Sequence, residues 1–176
     1  MKRILFTLLV VVAAITAHAQ QTVQADSTGY IVKVGQMAPD FTVTQTDGTK
    51  FTLSSQKGKI VLLQFTASWC TVCRKEMKAA LEPLHQRLKD NPDFVMIGID
   101  RDETLEKVLP FIQQTGVTYP LALDPGAQVY VKYALKDSGI TRNCLIDRDG
   151  KIVQLTRLYT EEEFQSLSDH IDQLLK

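Results

Sequence analysis

The arrangement of apolar and polar positions divides the chain into short strands and longer helices. Residues 41–44 (FTVT) and 50–53 (KFTL) alternate apolar and polar on either side of Asp47-Gly48. Alternation flanking such a dipeptide predicts a β-hairpin. Residues 60–65 (IVLLQF) and 94–99 (FVMIGI) are nearly unbroken apolar runs, the pattern of central strands covered on both faces. From about Cys70 to Lys89, Met77, Leu81, Leu84 and Leu88 recur at helical spacing, and Pro83 inside that stretch predicts a kink. Thr104 to Gln114 carries Leu105, Val108, Leu109 and Ile112 on one face, and Gly116 ends it. Asp124-Pro125 reads as an N-cap opening a short helix to about Tyr133. Residues 144–146 and 151–155 flank the turn Asp147-Arg148-Asp149-Gly150, and Thr160 with Glu163 forms a capping box before the last helix. Strands alternating with helices, with a hairpin at each end, predict an α/β domain: a central mixed sheet with helices on both faces.

Composition narrows the class. The chain has 176 residues, 20 basic and 20 acidic, with 44% apolar residues. That content excludes a disordered chain, and 9 Gly with 6 Pro exclude collagen-like or low-complexity readings. Zero net charge without a basic run argues against nucleic acid as a partner. Three cysteines are too few for a disulfide scaffold. The first residues differ from the rest. Lys2 and Arg3 precede an uncharged apolar run from Ile4 to Ile15, then Ala17-His18-Ala19. This is the layout of a cleaved signal peptide (1–19), and the apolar run is short for a membrane span. It implies export to the periplasm. Residues 20–34 read as a flexible leader and 35–176 as one domain.

The candidate chemistry lies where a buried strand meets a helix, at Trp69-Cys70-Thr71-Val72-Cys73. Two cysteines three apart at a helix start can close a small disulfide. The first sits where free N–H groups and the helix dipole favour a thiolate. Cys70 is therefore expected as the exposed nucleophile and Cys73 as the resolving thiol, with Trp69 packed beside the disulfide and shielding part of it. A structural zinc site needs about four ligands. Cys144, His85 and His170 do not form a second pair, so no metal is expected. Cys144 reads as a small buried hydrophobe, and both histidines as solvated. No phosphate loop or dinucleotide fingerprint is present, so no cofactor is expected.

Residues 35–41 (GQMAPDF), 64–77 (QFTASWCTVCRKEM), 117–120 (VTYP) and 144–152 (CLIDRDGKI) resemble the exported TlpA/ResA branch of thioredoxin-like proteins, which shares ancestry with peroxiredoxins. The resemblance implies a thioredoxin-like fold with an N-terminal β-hairpin and a central αβ insertion. It implies reduction of protein disulfides, with electrons supplied by a membrane-embedded dithiol donor. The sequence departs from the wider thioredoxin-like pattern at four places. Thr71-Val72 replaces a proline-containing dipeptide between the cysteines. Gln64 stands where thioredoxins bury an aspartate. The resemblance implies a buried acid after the next strand, where Asp100, Asp102 and Glu103 cluster, and Glu103 fits the spacing best. Thr141 replaces a cis-proline, and a non-proline residue there is expected to be trans, since cis costs about 2.5–4 kcal/mol. Arg142 follows it, as in peroxiredoxins, where an arginine assists the peroxidatic thiol. That opens an alternative in which Cys73 attacks peroxide with help from Arg142; a surface ion pair is the plainer role for this arginine. A third reading is a non-enzymatic binding module whose disulfide is structural.

Overall fold

A computed structural model describes residues 25–176. The signal-peptide reading and residues 20–24 of the expected leader lie outside them. Among the described residues, seven strands form one mixed sheet: β1 Thr42–Gln45, β2 Lys50–Thr52, β3 Ile60–Thr66, β4 Phe94–Arg101, β5 Leu121–Asp124, β6 Arg142–Ile146 and β7 Ile152–Arg157. Their order is β2-β1-β5-β4-β3-β6-β7. The inner strands β3, β4 and β5 are parallel. β6 runs antiparallel to β3, and both hairpins close as the alternation predicts. Every residue of β3 is buried.

Helices α1 (Thr71–Glu76), α2 (Glu82–Leu88), α3 (Leu105–Thr115) and α4 (Glu161–Leu174) cover one face. Their buried side chains, Leu84, Val108, Phe111, Leu167 and Ile171, meet Leu62, Met96 and Leu145 of the sheet. The kink expected at Pro83 takes the form of a π-helical turn, Met77–Leu81, between α1 and α2. Proline supplies no N–H to the preceding turn, and a widened turn absorbs that loss. Gly116 ends α3 in the left-handed region, at φ 72°, donating to the Ile112 carbonyl.

The opposite face is covered differently. The helix expected after Asp124 is two 3-10 turns, Pro125–Ala127 and Tyr130–Lys132. Gly126 (φ 72°) and Ala127 (φ 58°), within the first turn, lie in the left-handed region and prevent a continuous helix. The Asp124 carboxylate accepts the N–H groups of Val129 and Tyr130, both at 2.9 Å, and so fixes the second turn. Tyr130 and Tyr133 pack against Phe65 of β3. Tyr30 and Val32, from the expected leader, complete this face and are buried. The Tyr30 hydroxyl lies 2.9 Å from the carbonyls of Asn143 and Thr156. The folded part therefore starts upstream of the expected boundary at Gly35. Three consecutive apolar residues, Tyr30-Ile31-Val32, after a polar stretch are too short a pattern to register as an element.

Candidate active site

One pole of the sheet gathers the carboxyl ends of β3, β4 and β5 with the start of β6, as antiparallel β6 dictates. The cysteines emerge there. β3 ends at Thr66, three residues form a loop, and Cys70 is the N-cap of α1. Its Sγ accepts the N–H of Cys73 at 3.1 Å. The two cysteines form a disulfide with Cα atoms 5.3 Å apart. Cys70 keeps 7% of its surface exposed and Cys73 none. An N-terminal position on a helix that continues into α2 is where a thiolate is stabilised.

The loop before Cys70 is held at Ser68. Glu103 accepts the Ser68 N–H at 2.5 Å and its hydroxyl at 2.6 Å, and Arg74 Nε donates to the Ser68 carbonyl at 2.8 Å. Glu103, expected as the buried acid serving Cys73, thus spends its carboxylate on this loop. Asp102 accepts the N–H of Gly126. Asp100 is buried, and both of its carboxylate oxygens lack a partner among the described residues. Burial, with the Glu103 charge adding to it, pushes its carboxyl up to about 8.

Sequence reasoning missed Glu76. It lies on α1 three residues after Cys73, hence on the same side of the helix, and is buried. Asn143 Nδ2 donates to its carboxylate at 2.6 Å, and Gln64 Nε2 approaches at 3.5 Å. Tyr119 donates to Gln64 Oε1 at 2.7 Å. Burial raises the Glu76 carboxyl to about 7, against the opposing effect of its two amide donors. The available signals were Gln64 inside an apolar strand and Asn143 inside another.

Thr141 joins the two cysteines. Its hydroxyl lies 3.3 Å from each sulfur, and all described peptide bonds are trans. Arg142 does not join them. It is wholly buried, donating to Tyr130 Oη (3.2 Å) and to the carbonyls of Gly139 (3.0 Å) and Thr28 (2.6 Å), with its guanidinium over the Tyr30 ring. This corrects both expectations for it, since it serves neither the sulfurs nor a surface ion pair. Adjacent residues of a strand point to opposite faces, which separates Arg142 from Thr141. Trp69, next to Cys70 in the chain, is 59% exposed, with Arg101 stacked over its ring. Cys144 is buried in β6, and burial alone pushes its thiol far up. Neither histidine is simply solvated: His85 packs edge-on against Tyr119, and His170 Nδ1 pairs with Gln154 at 2.8 Å. Among the described residues no cluster of metal-ligating side chains occurs.

A strand, a short loop and a helix carrying a Cys-x-x-Cys disulfide on a mixed sheet define a thioredoxin-like thiol-disulfide oxidoreductase. The redoxin family model matches residues 33–171, and the chain belongs to that family. It is 36% identical over 135 residues to the thiol-disulfide oxidoreductase ResA of Bacillus thuringiensis (strain Al Hakam), covering 76% of each chain. A solution structure from Bacteroides thetaiotaomicron, described as that of a proposed protein disulfide isomerase, shares 65% identity. Its TM-score is 0.82, over 85% of this chain and 94% of that one. A Chlorobium tepidum crystal structure, described as a proposed thiol:disulfide interchange protein DsbE, aligns at TM-score 0.71 and 26% identity. That alignment covers 82% of this chain and 99% of that one. Among the described residues no helix is long and apolar enough to cross a membrane.

Proposed function

We propose that the protein reduces protein disulfides in the periplasm, with Cys70 as attacking thiol and Cys73 as resolving thiol. The observation that carries this reading is the asymmetry of the pair: Cys70 is partly exposed at a helix N-cap, and Cys73 is fully enclosed one turn further on. The Cys70 thiolate attacks one sulfur of the substrate disulfide. A mixed disulfide forms and one substrate thiolate leaves. Cys73, deprotonated, then attacks the Cys70 sulfur, closes the 70–73 disulfide and expels the second substrate thiolate. Two electrons pass to the substrate, and the protons of the two cysteines end on its thiols. Glu76 takes the Cys73 proton. It is a buried carboxylate with a pKa near neutrality, on the same side of α1. A membrane-embedded dithiol donor returns the pair to the reduced state, as the ResA likeness and the signal-peptide pattern suggest. The exposed Trp69 and the groove beside it, formed with Arg101, Asp102, Ala127, Lys136 and Asp137, offer the substrate a surface next to Cys70.

The peroxidase alternative draws no support from Arg142, whose Nε and Nη2 donate to Tyr130, Gly139 and Thr28 and whose guanidinium lies over the Tyr30 ring, with no hydrogen bond to either sulfur. The variants that test the proposal are Cys73→Ser and Cys70→Ser. The first is expected to accumulate a mixed disulfide through Cys70, visible by non-reducing electrophoresis and peptide mass mapping. The second is expected to lose all turnover. Full turnover by Cys70→Ser would reject the assignment. Stopped-flow fluorescence of Trp69, the one tryptophan in the chain, is expected to report fast oxidation by a protein disulfide and slow reaction with hydrogen peroxide.

A further inference from the structure

The Thr141 side chain is 2% exposed, and its hydroxyl has hydrogen-bond partners only in the two cysteine sulfurs among the described residues. A buried hydroxyl is rarely left without an acceptor. A disulfide sulfur accepts weakly, whereas a thiolate is an anion and a strong acceptor. The backbone of Thr141 is itself anchored, since its carbonyl accepts the N–H of Leu158 at 3.1 Å and Arg157 Nη1 at 3.3 Å. The hydroxyl is thus held between the sulfurs at equal distance and can turn toward either.

We propose that the Thr141 hydroxyl donates to whichever of Cys70 and Cys73 carries the negative charge, stabilising both thiolates of the cycle. In the reduced protein it donates to the attacking Cys70 thiolate. When an incoming donor thiolate attacks Cys70 of the disulfide, the 70–73 bond breaks and the electron pair leaves on Cys73, toward which the hydroxyl then turns. The second role rests on the proposed order of attack. A proline at this position, as the thioredoxin-like pattern has it, supplies no donor.

The test is the pH dependence of iodoacetamide alkylation of the reduced protein, with mass mapping of the modified cysteine. Losing one hydrogen bond to an anion is expected to raise the apparent thiol pKa in Thr141→Val by about one unit. Thr141→Ser keeps the donor and is expected to follow the wild-type curve. A thiol of higher pKa is less ionised and more nucleophilic, so the valine and wild-type rate profiles are expected to cross. The variant is about threefold slower below the pKa and about threefold faster above it. Should Thr141→Val fail to fold, Thr141→Ala removes the same hydroxyl. Superimposed profiles, uniform slowing without a crossing, or a serine variant that behaves like valine would each overturn the proposal. First alkylation at Cys73 would overturn the order of attack instead, while a Thr141-dependent crossing would still support the hydroxyl's role.

Discussion

Glu76 is an acid held where ionisation is costly. Its carboxyl is raised from 4.5 to about 7, chiefly by burial. Below the lower value both folded and unfolded chains hold the proton. Between the two, the unfolded chain releases it and the folded chain keeps it, so stability falls as pH rises. Above the higher value the loss is complete, on the order of 3 kcal/mol at this one site. Glu76→Gln is expected to remove this slope. Its stability relative to wild type, from urea denaturation of the oxidised form, should grow between about pH 4 and about pH 8. Parallel stability curves for the two proteins would refute that. Glu76 was not legible as a buried acid in the sequence, because its hydrogen-bond partners Gln64 and Asn143 are distant in the chain. Cys70 and Cys73 were legible, since their spacing and helix start are local. Arg142 was misread for the same reason that Glu76 was missed: the Thr28 carbonyl that takes its Nη2 proton and the Tyr30 ring beneath it lie far away in the chain.

At the scale of elements, the turns after β5 depend on one carboxylate. Asp124 takes two buried N–H groups, those of Val129 and Tyr130. Removing it leaves both unpaired, at about 1–3 kcal/mol each. Asp124→Ala is therefore expected to lower stability by roughly 2–6 kcal/mol, and Asp124→Asn, which keeps an acceptor, by less. Urea midpoints of the three proteins check this ordering. Strands and capped helices were readable because their signals are periodic or lie at fixed offsets, as with Thr160 accepting the Glu163 N–H. The region after Asp124 was not. The letters Asp-Pro are a fair helix start, but Pro125-Gly126 is equally a turn signal, and the left-handed backbone continues into Ala127, which no local pattern announces. Gly98 marks another limit. A Cβ there would come within 3.1 Å of Leu121 Cγ and 3.3 Å of Gln64 Oε1. The glycine leaves room for the Gln64 amide beneath α1, a need visible only once β4 lies beside β3.

Across the whole molecule the two faces of the sheet are closed by different means. One carries the α-helices; the other relies on Tyr130 and Tyr133 at the second 3-10 turn and on Tyr30 from the segment before Gly35. Tyr30 should therefore matter to the fold although it precedes the expected domain. Tyr30→Ala removes a buried ring and hydroxyl, and is expected to cost about 3–5 kcal/mol, read as a lowered denaturation midpoint with the cysteines untouched. A loss within about 0.5 kcal/mol would mean that the face closes without it. The placement of β3 between β4 and β6 also orders events in time. The cysteines lie three residues apart, so a newly made chain can oxidise them before any long-range pairing. Thr141 reaches those sulfurs only when β6 docks, 71 residues beyond Cys70. Pairing so distant in sequence is slow relative to local structure. The growing chain thus holds an ordinary pair of thiols, and maturation of the sheet is the step that turns them into a redox centre.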